Sequence, residues 1–522
     1  MKKKSISIFE YLFIFIGFAA ISLLEVPTSD IFFFSHDYEN SIGSFVSNSL
    51  CYGNGRFLGN FLGFAFAHWF TYSFVFVAAV LTLLVFVINK FFFNGNCKTI
   101  FPVALLIAFP SSGMFSEVYT SVPSFVNYVV PMVLVFAVLC LIKNCKSLLS
   151  LIPIFVLTVA SCLFSENNTI SIFTLSVLTV IYLFLKNKKA NIKSIVFLIG
   201  TVAGGIAMVL IPRLTGSAHK LDYYRNTAKT IPDMITMAIA SFSTFCEIFS
   251  SFVLPIIILS ASLIYLIIKT GINKKLQKAV CFYLAFFPLE TVFYSTLSDN
   301  APASVYMYLL QTGFVTLYAI SIFAGILCLK KSDFKNLLIE IFILMLSSVG
   351  PMLFADKYGY RTFYLSYIIL LAFSLTVFGK AIKEIPAEAI EKVKSNKFVA
   401  PVTALAFACL CAVVFVQSVY NFNFYVARTN YIAEQVVVNA EKIEVPALPC
   451  RGISCEDENP SLVGTILYKQ DSKSTVAVAE SVYCENGADY SGILSGNPIS
   501  NTISALQNLN YKDGKILDKL RK

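Results

Sequence analysis

Runs of roughly twenty apolar residues recur along most of the chain, and no other feature constrains its fold as strongly. A helix needs about 20 such residues to cross the hydrocarbon of a bilayer, and inside lipid every backbone polar group must be satisfied by the segment itself or by a closed barrel. The runs fall near residues 6–24, 62–88, 99–115, 125–142, 147–164, 169–186, 194–212, 245–268, 279–298, 305–329, 336–354, 362–379 and 398–419. They predict an all-α polytopic membrane protein of about thirteen transmembrane helices. Composition agrees: 57% of residues are hydrophobic and 13% charged, against roughly 25% charged in soluble domains. A soluble enzyme carried on a single anchor is excluded.

The loops between the runs alternate in charge. Every second one is rich in lysine: Lys90 and Lys98; Lys143 and Lys146; Lys186, Lys188, Lys189 and Lys193; Lys269, Lys274, Lys275 and Lys278; Lys330, Lys331 and Lys335; and residues Lys380 to Lys397. Cytoplasmic loops carry such an excess of Lys and Arg. The pattern therefore predicts integral insertion in the cell membrane, a cytoplasmic N-terminus and an extracytoplasmic C-terminal tail. It also accounts for the formal net charge of +10 without a nucleic-acid partner. The lipid bilayer is the expected partner, and Lys380–Lys397 reads as a surface helix suited to anionic lipid or as a solvated connector.

The ionisable residues in and near the runs gather on the opposite, outer side. The first outer loop, residues 25–61, holds Asp30 and Asp37 around the aromatic run Phe32–Phe34, then the turn YGNGR ending at Arg56. The second holds Glu117 in SSGMFSEVY, closely followed by Asn127 and Tyr128. Glu166 follows the fifth run. The loop at 213–244 contains Arg213, Arg225 and the segment TIPDMITMAIASF, which reads as a helix lying in the interface. Glu247 and Glu290 fall in the outer halves of their runs, Asp299 lies just outside, and Arg361 ends YGYR. Ionisable groups at membrane depth cost several kcal/mol and mark functional sites, so these residues outline an outward-facing polar cavity. His36, His68 and His219 are scattered and suggest no metal set, and no Cys-x-x-Cys pair is present. Trp69 reads as an interfacial anchor. Gly204-Gly205 is the one strong helix break in the runs.

From Asn421 onward the composition becomes mixed. Strand-like stretches at Leu462–Tyr468 and Thr475–Val478, with turn signals between them, predict a small extracytoplasmic α/β module over 421–522, after a membrane domain over 1–420. Cys450, Cys455 and Cys484 fall in it; an exported module permits a disulfide, but an odd number fixes no pairing.

Acids, arginines and aromatics around a cavity at the bilayer surface suit glycosyl transfer from a lipid-phosphate sugar. A carboxylate serves as base on the acceptor hydroxyl, and arginine holds the departing phosphate through paired hydrogen bonds. No Walker or Rossmann pattern provides for a nucleotide donor. In the order of SDIFFFSHD, YGNGRFLGN, SEVY with SFVNYVVP, SEN and YGYR, the first 360 or so residues resemble the C-type integral-membrane glycosyltransferases, in particular a bacterial family of that class whose activity is uncharacterised. The resemblance implies that the first-loop acid, Asp30 or in its place Asp37, is the catalytic base. It implies a polyprenyl-phosphate-linked sugar as donor and an extracytoplasmic glycan or lipid as acceptor. Arg56, Glu117, Asn127, Tyr128, Glu166, Arg225, Glu290 and Arg361 are then the candidates for binding donor phosphate and substrate. Some members of the class use a divalent metal and others none, and the residues here leave both open. Asp30 ranks ahead of Asp37 because it lies nearer the end of the first run. The main alternative is a multi-span transporter or lipid flippase, which calls for broken helices and ionisable groups near the midplane. A third reading makes the membrane part a scaffold for the tail.

Overall fold

The computed structural model describes residues 2–24, 41–51, 54–69, 72–108, 110–215, 230–270, 274–298, 305–354, 359–386, 399–437, 442–445 and 475–478. Their regular elements are helical apart from two four-residue strands, with short turns and loops between them. In chain order the helices are α1 (Lys2–Ser22), α2 (Ile42–Cys51), α3 (Phe57–His68), α4 (Ser73–Phe93), α5 (Ile100–Ala108), α6 (Val122–Tyr128), α7 (Val130–Asn144), α8 (Leu151–Cys162) and α9 (Glu166–Asn187). They continue as α10 (Ile192–Leu214), α11 (Ile231–Ser250), α12 (Val253–Thr270), α13 (Lys274–Ser298), α14 (Val305–Cys328), α15 (Asp333–Val349), α16 (Tyr364–Glu384) and α17 (Val399–Val437). Among the described residues, nine helices are long and apolar enough to cross a membrane by themselves, ten if the bent pair Cys97–Ala108 and Ser112–Tyr119 forms one span. The chain is thus a polytopic helical membrane protein.

Several expected boundaries are corrected. The run at 62–88 is not one span: its first residues belong to α3, which ends at His68, and the crossing helix starts at Ser73. The run at 99–115 bends by 84° after Ala108. The expected span at 245–268 is interrupted at Ser251–Phe252, and its first part continues a helix that begins at Ile231. That start is fixed by a capping box in which the Thr230 hydroxyl accepts from the Asp233 N–H and the Asp233 carboxylate from the Thr230 N–H. Gly204-Gly205 breaks nothing: α10 runs through both. Apolarity alone shows neither a short helix lying on the bundle nor a bend, because both keep the same residues out of water.

Among the described residues, the lysines of the Lys-rich inter-helix loops lie at one end of the bundle, and four of them do more than carry charge. Lys143 donates to the Phe91 carbonyl near the end of α4, Lys193 to the Cys145 carbonyl just past α7, and Lys269 to the Glu384 carbonyl ending α16. Lys335 donates to the Leu327 and Leu329 carbonyls at the end of α14. Helix C-termini carry unsatisfied carbonyls and a partial negative charge, so each ammonium satisfies both. α1 begins at this end, where Tyr11 accepts a hydrogen bond from Asn89 near the end of α4. α17 lies alongside α1 and in the same direction: Gly17 packs against Phe407 and Cys411, and Leu24 against Val419 and Phe422.

At the opposite end, α2, α3 and α6 pack over one another around Phe45, Phe64, Val122, Val126 and Phe164. Beyond the bundle, Lys442–Val445 (β1) and Thr475–Val478 (β2) pair in parallel, with Lys442 opposite Thr475. The strand-like stretch Leu462–Tyr468 and the three cysteines of the tail lie outside the described residues, as does most of Lys380–Lys397.

Candidate functional site

The turn before α3 builds the first part of the site. Gly55 holds a left-handed φ of 72°, and a side chain there would overlap the Met208 carbonyl of α10. Only glycine fits both demands. The Asn54 side chain accepts from the Arg56 N–H at 3.0 Å, an Asx turn that aims the arginine, and from the Asn60 amide at 2.9 Å. The Leu58 N–H, an orphan donor of the first turn of α3, is taken by the Leu163 carbonyl between α8 and α9 at 3.1 Å. These constraints carry Arg56 to Glu166, the first residue of α9, with Nε and Nη2 2.7 and 2.6 Å from Oε2. The two side chains retain 22% and 26% exposure. Their positions 110 residues apart conceal this pairing in the sequence.

Within the first turn of α9 the site continues inward. Asn168 is 1% exposed and donates to the Asn127 carbonyl on α6 at 3.0 Å. The Asn127 amide donates to the Pro123 carbonyl at 2.8 Å, and its Oδ1 lies against the Cα of Gly59, where a Cβ would overlap it. Among the described residues that oxygen has no conventional donor; the Cα–H of Gly59 is its neighbour, a weak contact of a recurring kind. Asn127 therefore locks α3 to α6. Tyr128 is buried in the apolar core. Sequence reasoning selected both for the cavity; the structure turns them toward protein. It missed Gly59 and Asn168, although Gly59 stands in YGNGRFLGN and Asn168 directly follows SEN.

The second part of the site joins two loops. Beyond the 84° bend, Ser112–Met114 forms one helical turn and Phe115–Tyr119 a π-helical turn, a geometry frequent at functional sites. The π turn presents Glu117, half-buried, whose Oε2 accepts the backbone N–H of Arg361 at 3.1 Å. A side chain at Gly359 would overlap that carboxylate, and one at Gly113 would overlap the Tyr360 ring. The loops SSGMFSEVY and YGYR thus interlock through two glycines. The Arg361 guanidinium turns toward α6, with Nη1 3.4 Å from the Ser124 hydroxyl, which also receives a hydrogen bond from Ser121. Behind the bend, the Ile107 carbonyl accepts from the Tyr119 hydroxyl at 2.6 Å and the Leu106 carbonyl from Tyr367.

Glu117, Arg361 and Ser124 thus reach one part of α6, and Asn168, close to the Glu166–Arg56 pair, reaches another at Asn127, both at the end away from the loop lysines. Glu290 is part of neither. It lies on α13, which packs on α12 and α14, and its Oε2 is buried with no hydrogen-bond partner among the described residues. Asp30, Asp37 and Arg225 lie outside the described residues, as do His36, His219 and Asp299. His68 turns Nδ1 back to the Phe64 carbonyl at 2.9 Å. No metal-binding group of three His, Cys, Asp or Glu occurs among the described residues. Trp69 stands 46% exposed at the end of α3, as an interfacial residue would. No protein-family model matches the chain, and neither the curated proteins nor the solved structures contain a match to it.

Proposed function

We propose that the chain is a membrane glycosyltransferase that moves a sugar from a polyprenyl-phosphate donor to an extracytoplasmic glycan or lipid acceptor. The observation that carries this reading is the meeting of Glu117 and Arg361 at one end of the bundle, away from the lysines. An acceptor of protons and a planar cation beside one another are what transfer from a phosphate-linked sugar requires. Arg56 and Glu166 form a clamp between α3 and α9, and Arg361, whose backbone meets Glu117, is the candidate for the donor phosphate. The resemblance gives the base to Asp30 or Asp37 of the first loop. If a divalent metal takes part, the first-loop acids are the residues to hold it. Taking α1, α8, α13, α15 and the bent pair as further spans, and α11 as a surface helix, gives the expected thirteen crossings. The strand pair then belongs to an exported α/β module.

Transport or lipid flipping has one observation in its favour, the 84° bend between Ala108 and Ser112. In transporters the backbone ends at such a break face the ion or solute. Here Tyr119 and Tyr367 take the exposed carbonyls, which favours a structural bend. The test uses the full-length protein in nanodiscs with undecaprenyl-phosphate glucose, galactose and mannose. At least one donor binds, and Arg361→Lys weakens it about tenfold, the equivalent of one charge-assisted hydrogen bond. Equal affinity of the Lys variant for every donor that binds removes Arg361 from the phosphate. No binding of any donor, with uptake of a solute into sealed vesicles, favours the transporter.

A further inference from the structure

We propose that the junction of α3, α6 and the α8–α9 link binds a monovalent alkali cation through neutral oxygens, an assignment independent of the transferase reading. Buried side-chain polar atoms without a hydrogen-bond partner are few in native proteins, and each calls for an explanation such as an ion. Among the described residues six such atoms occur, and four lie along this junction: Asn127 Oδ1, Ser165 Oγ, Asn168 Oδ1 and Ser171 Oγ. The other two are single carboxylate oxygens, of Glu10 on α1 and Glu290 on α13. Ser165, Asn168 and Ser171 are 0%, 1% and 2% exposed. They follow one another at intervals of three, so they stand on one side of α9 as a column running in from the polar end. Asn168 meets Asn127 through the hydrogen bond to its carbonyl. The place a Gly59 Cβ would take borders both Asn127 Oδ1 and, at 3.1 Å, the Phe164 carbonyl. Phe164 immediately precedes Ser165, which brings main-chain and side-chain oxygens into one neighbourhood.

The chemistry of the set selects its ligand. The Asn127 and Asn168 amide nitrogens are spent on the Pro123 and Asn127 carbonyls, which fixes the orientation of each amide and leaves its oxygen without a donor. Such oxygens accept and never donate, and the two serine hydroxyls can turn their protons away and accept as well. Hard cations take oxygen ligands of this kind, while a divalent ion calls for carboxylates, which the set lacks. Placement favours positive charge too. α8 ends at Cys162, so the partial negative charge of its last carbonyls falls at the link, and Glu166 in the first turn of α9 offsets the positive end of that helix. A bound ion ties α6 to α9 beside the Arg56–Glu166 pair and seats the turn that carries Arg56.

The experiment follows the thermal midpoint of the full-length protein in detergent as choline chloride is replaced by NaCl or KCl at constant ionic strength. Expected are a saturable rise of about 2–4 °C with Na⁺ or K⁺ and saturable binding of about one radiolabelled Na⁺ or, for K⁺, Rb⁺ per chain. Ser165→Ala abolishes the rise and weakens ion binding about tenfold, comparable to the loss of one charge-assisted contact. Ser176→Ala is the control: it removes a buried hydroxyl of the same helix that is already bonded to the Phe173 carbonyl, and it keeps the full response. Equal midpoints in all three salts, with no saturable ion binding, overturn the proposal. Ser165→Ala then shows what the oxygens hold instead: a midpoint lowered in every salt marks an ordered water, and one raised in every salt marks a hydroxyl with no partner. An equal ion response in wild type and Ser165→Ala places the ion elsewhere and also overturns the site, as does loss of the response in both serine variants. Should Ser165→Ala fail to fold, Ser171→Ala, further along the column, takes its place with the same expected and overturning results.

Discussion

Two glycines in neighbouring helices show how much one hydrogen atom decides at this end of the molecule. Replacing a helical glycine by alanine on an open surface stabilises by up to about 1 kcal/mol, because alanine restricts the unfolded chain and suits the helix. Gly43 of α2 has nothing within 4 Å of where a Cβ would stand, so Gly43→Ala should raise or leave unchanged the thermal midpoint in detergent. At Gly59 the same methyl overlaps Asn127 Oδ1 and meets the Phe164 carbonyl at 3.1 Å. Overpacking of this kind costs about 1–3 kcal/mol and outweighs the gain, so Gly59→Ala should lower the midpoint. Equal shifts in the two variants would show that α3 and α6 are not in this register. In the sequence both are simply glycines in apolar stretches. The acids and arginines were legible as a set, since charge stands out against an apolar background. Which of them pair was not, because the partners come from loops brought together only by packing: Arg56 with Glu166, and Glu117 with the backbone of Arg361.

The same distinction governs whole helices, most clearly where α8 meets α10. Without a hydrophobic force between helices in lipid, close approach of small residues supplies the packing. Gly200 of α10 faces Thr158, with a Cβ site 3.0 Å from its Cβ, and Gly204 faces Cys162, with a site 2.7 Å from its Cβ. Gly205 looks the other way, where the nearest atom, Thr169 Cγ2, would be 3.6 Å from a new methyl, an ordinary contact. Gly204→Ala should therefore lower the thermal midpoint by several degrees, while Gly205→Ala leaves it near wild type; scanning fluorimetry of the two purified variants is the check. The opposite order would mean that α10 is rotated about its axis. A glycine pair in an apolar run reads equally as a break and as a close contact, and the sequence holds no partner residue to decide between them. The existence of most helices was plain because twenty-residue apolar runs have few other uses. The ends of α3, α5 and α11 were not, since bends and surface helices bury the same residues as straight spans.

At the scale of the molecule the two ends are built from different chemistry, lysines closing helix ends on one and carboxylates with arginines on the other. Alternating loop charge made this polarity readable, while the placement of the tail depended on where the last helix stops. The composition changes at Asn421, yet α17 runs unbroken through that point as a helix of 39 residues, about 58 Å long. Its apolar window ends at Asn423, so roughly 20 Å of helix stand beyond it. Because α17 parallels α1, that extension leaves the bundle at the end carrying Arg56 and Glu117. A coil would act as a tether, whereas a helix acts as a crankshaft that couples height to azimuth. Two alanines inserted after Ala427 should lift the distal part of the helix by about 3 Å and swing it by about 200°. Seven should lift it by about 10 Å and return it to within about 20° of its original bearing. Distances between spin labels at Trp69 and Val436 would then shift stepwise and stay narrow, and a broad distribution in either insertion would show a tether after all. On this shaft, the bearing of the strand pair toward the polar end is a matter of rotational phase, one that a single inserted or deleted residue shifts by about a quarter-turn.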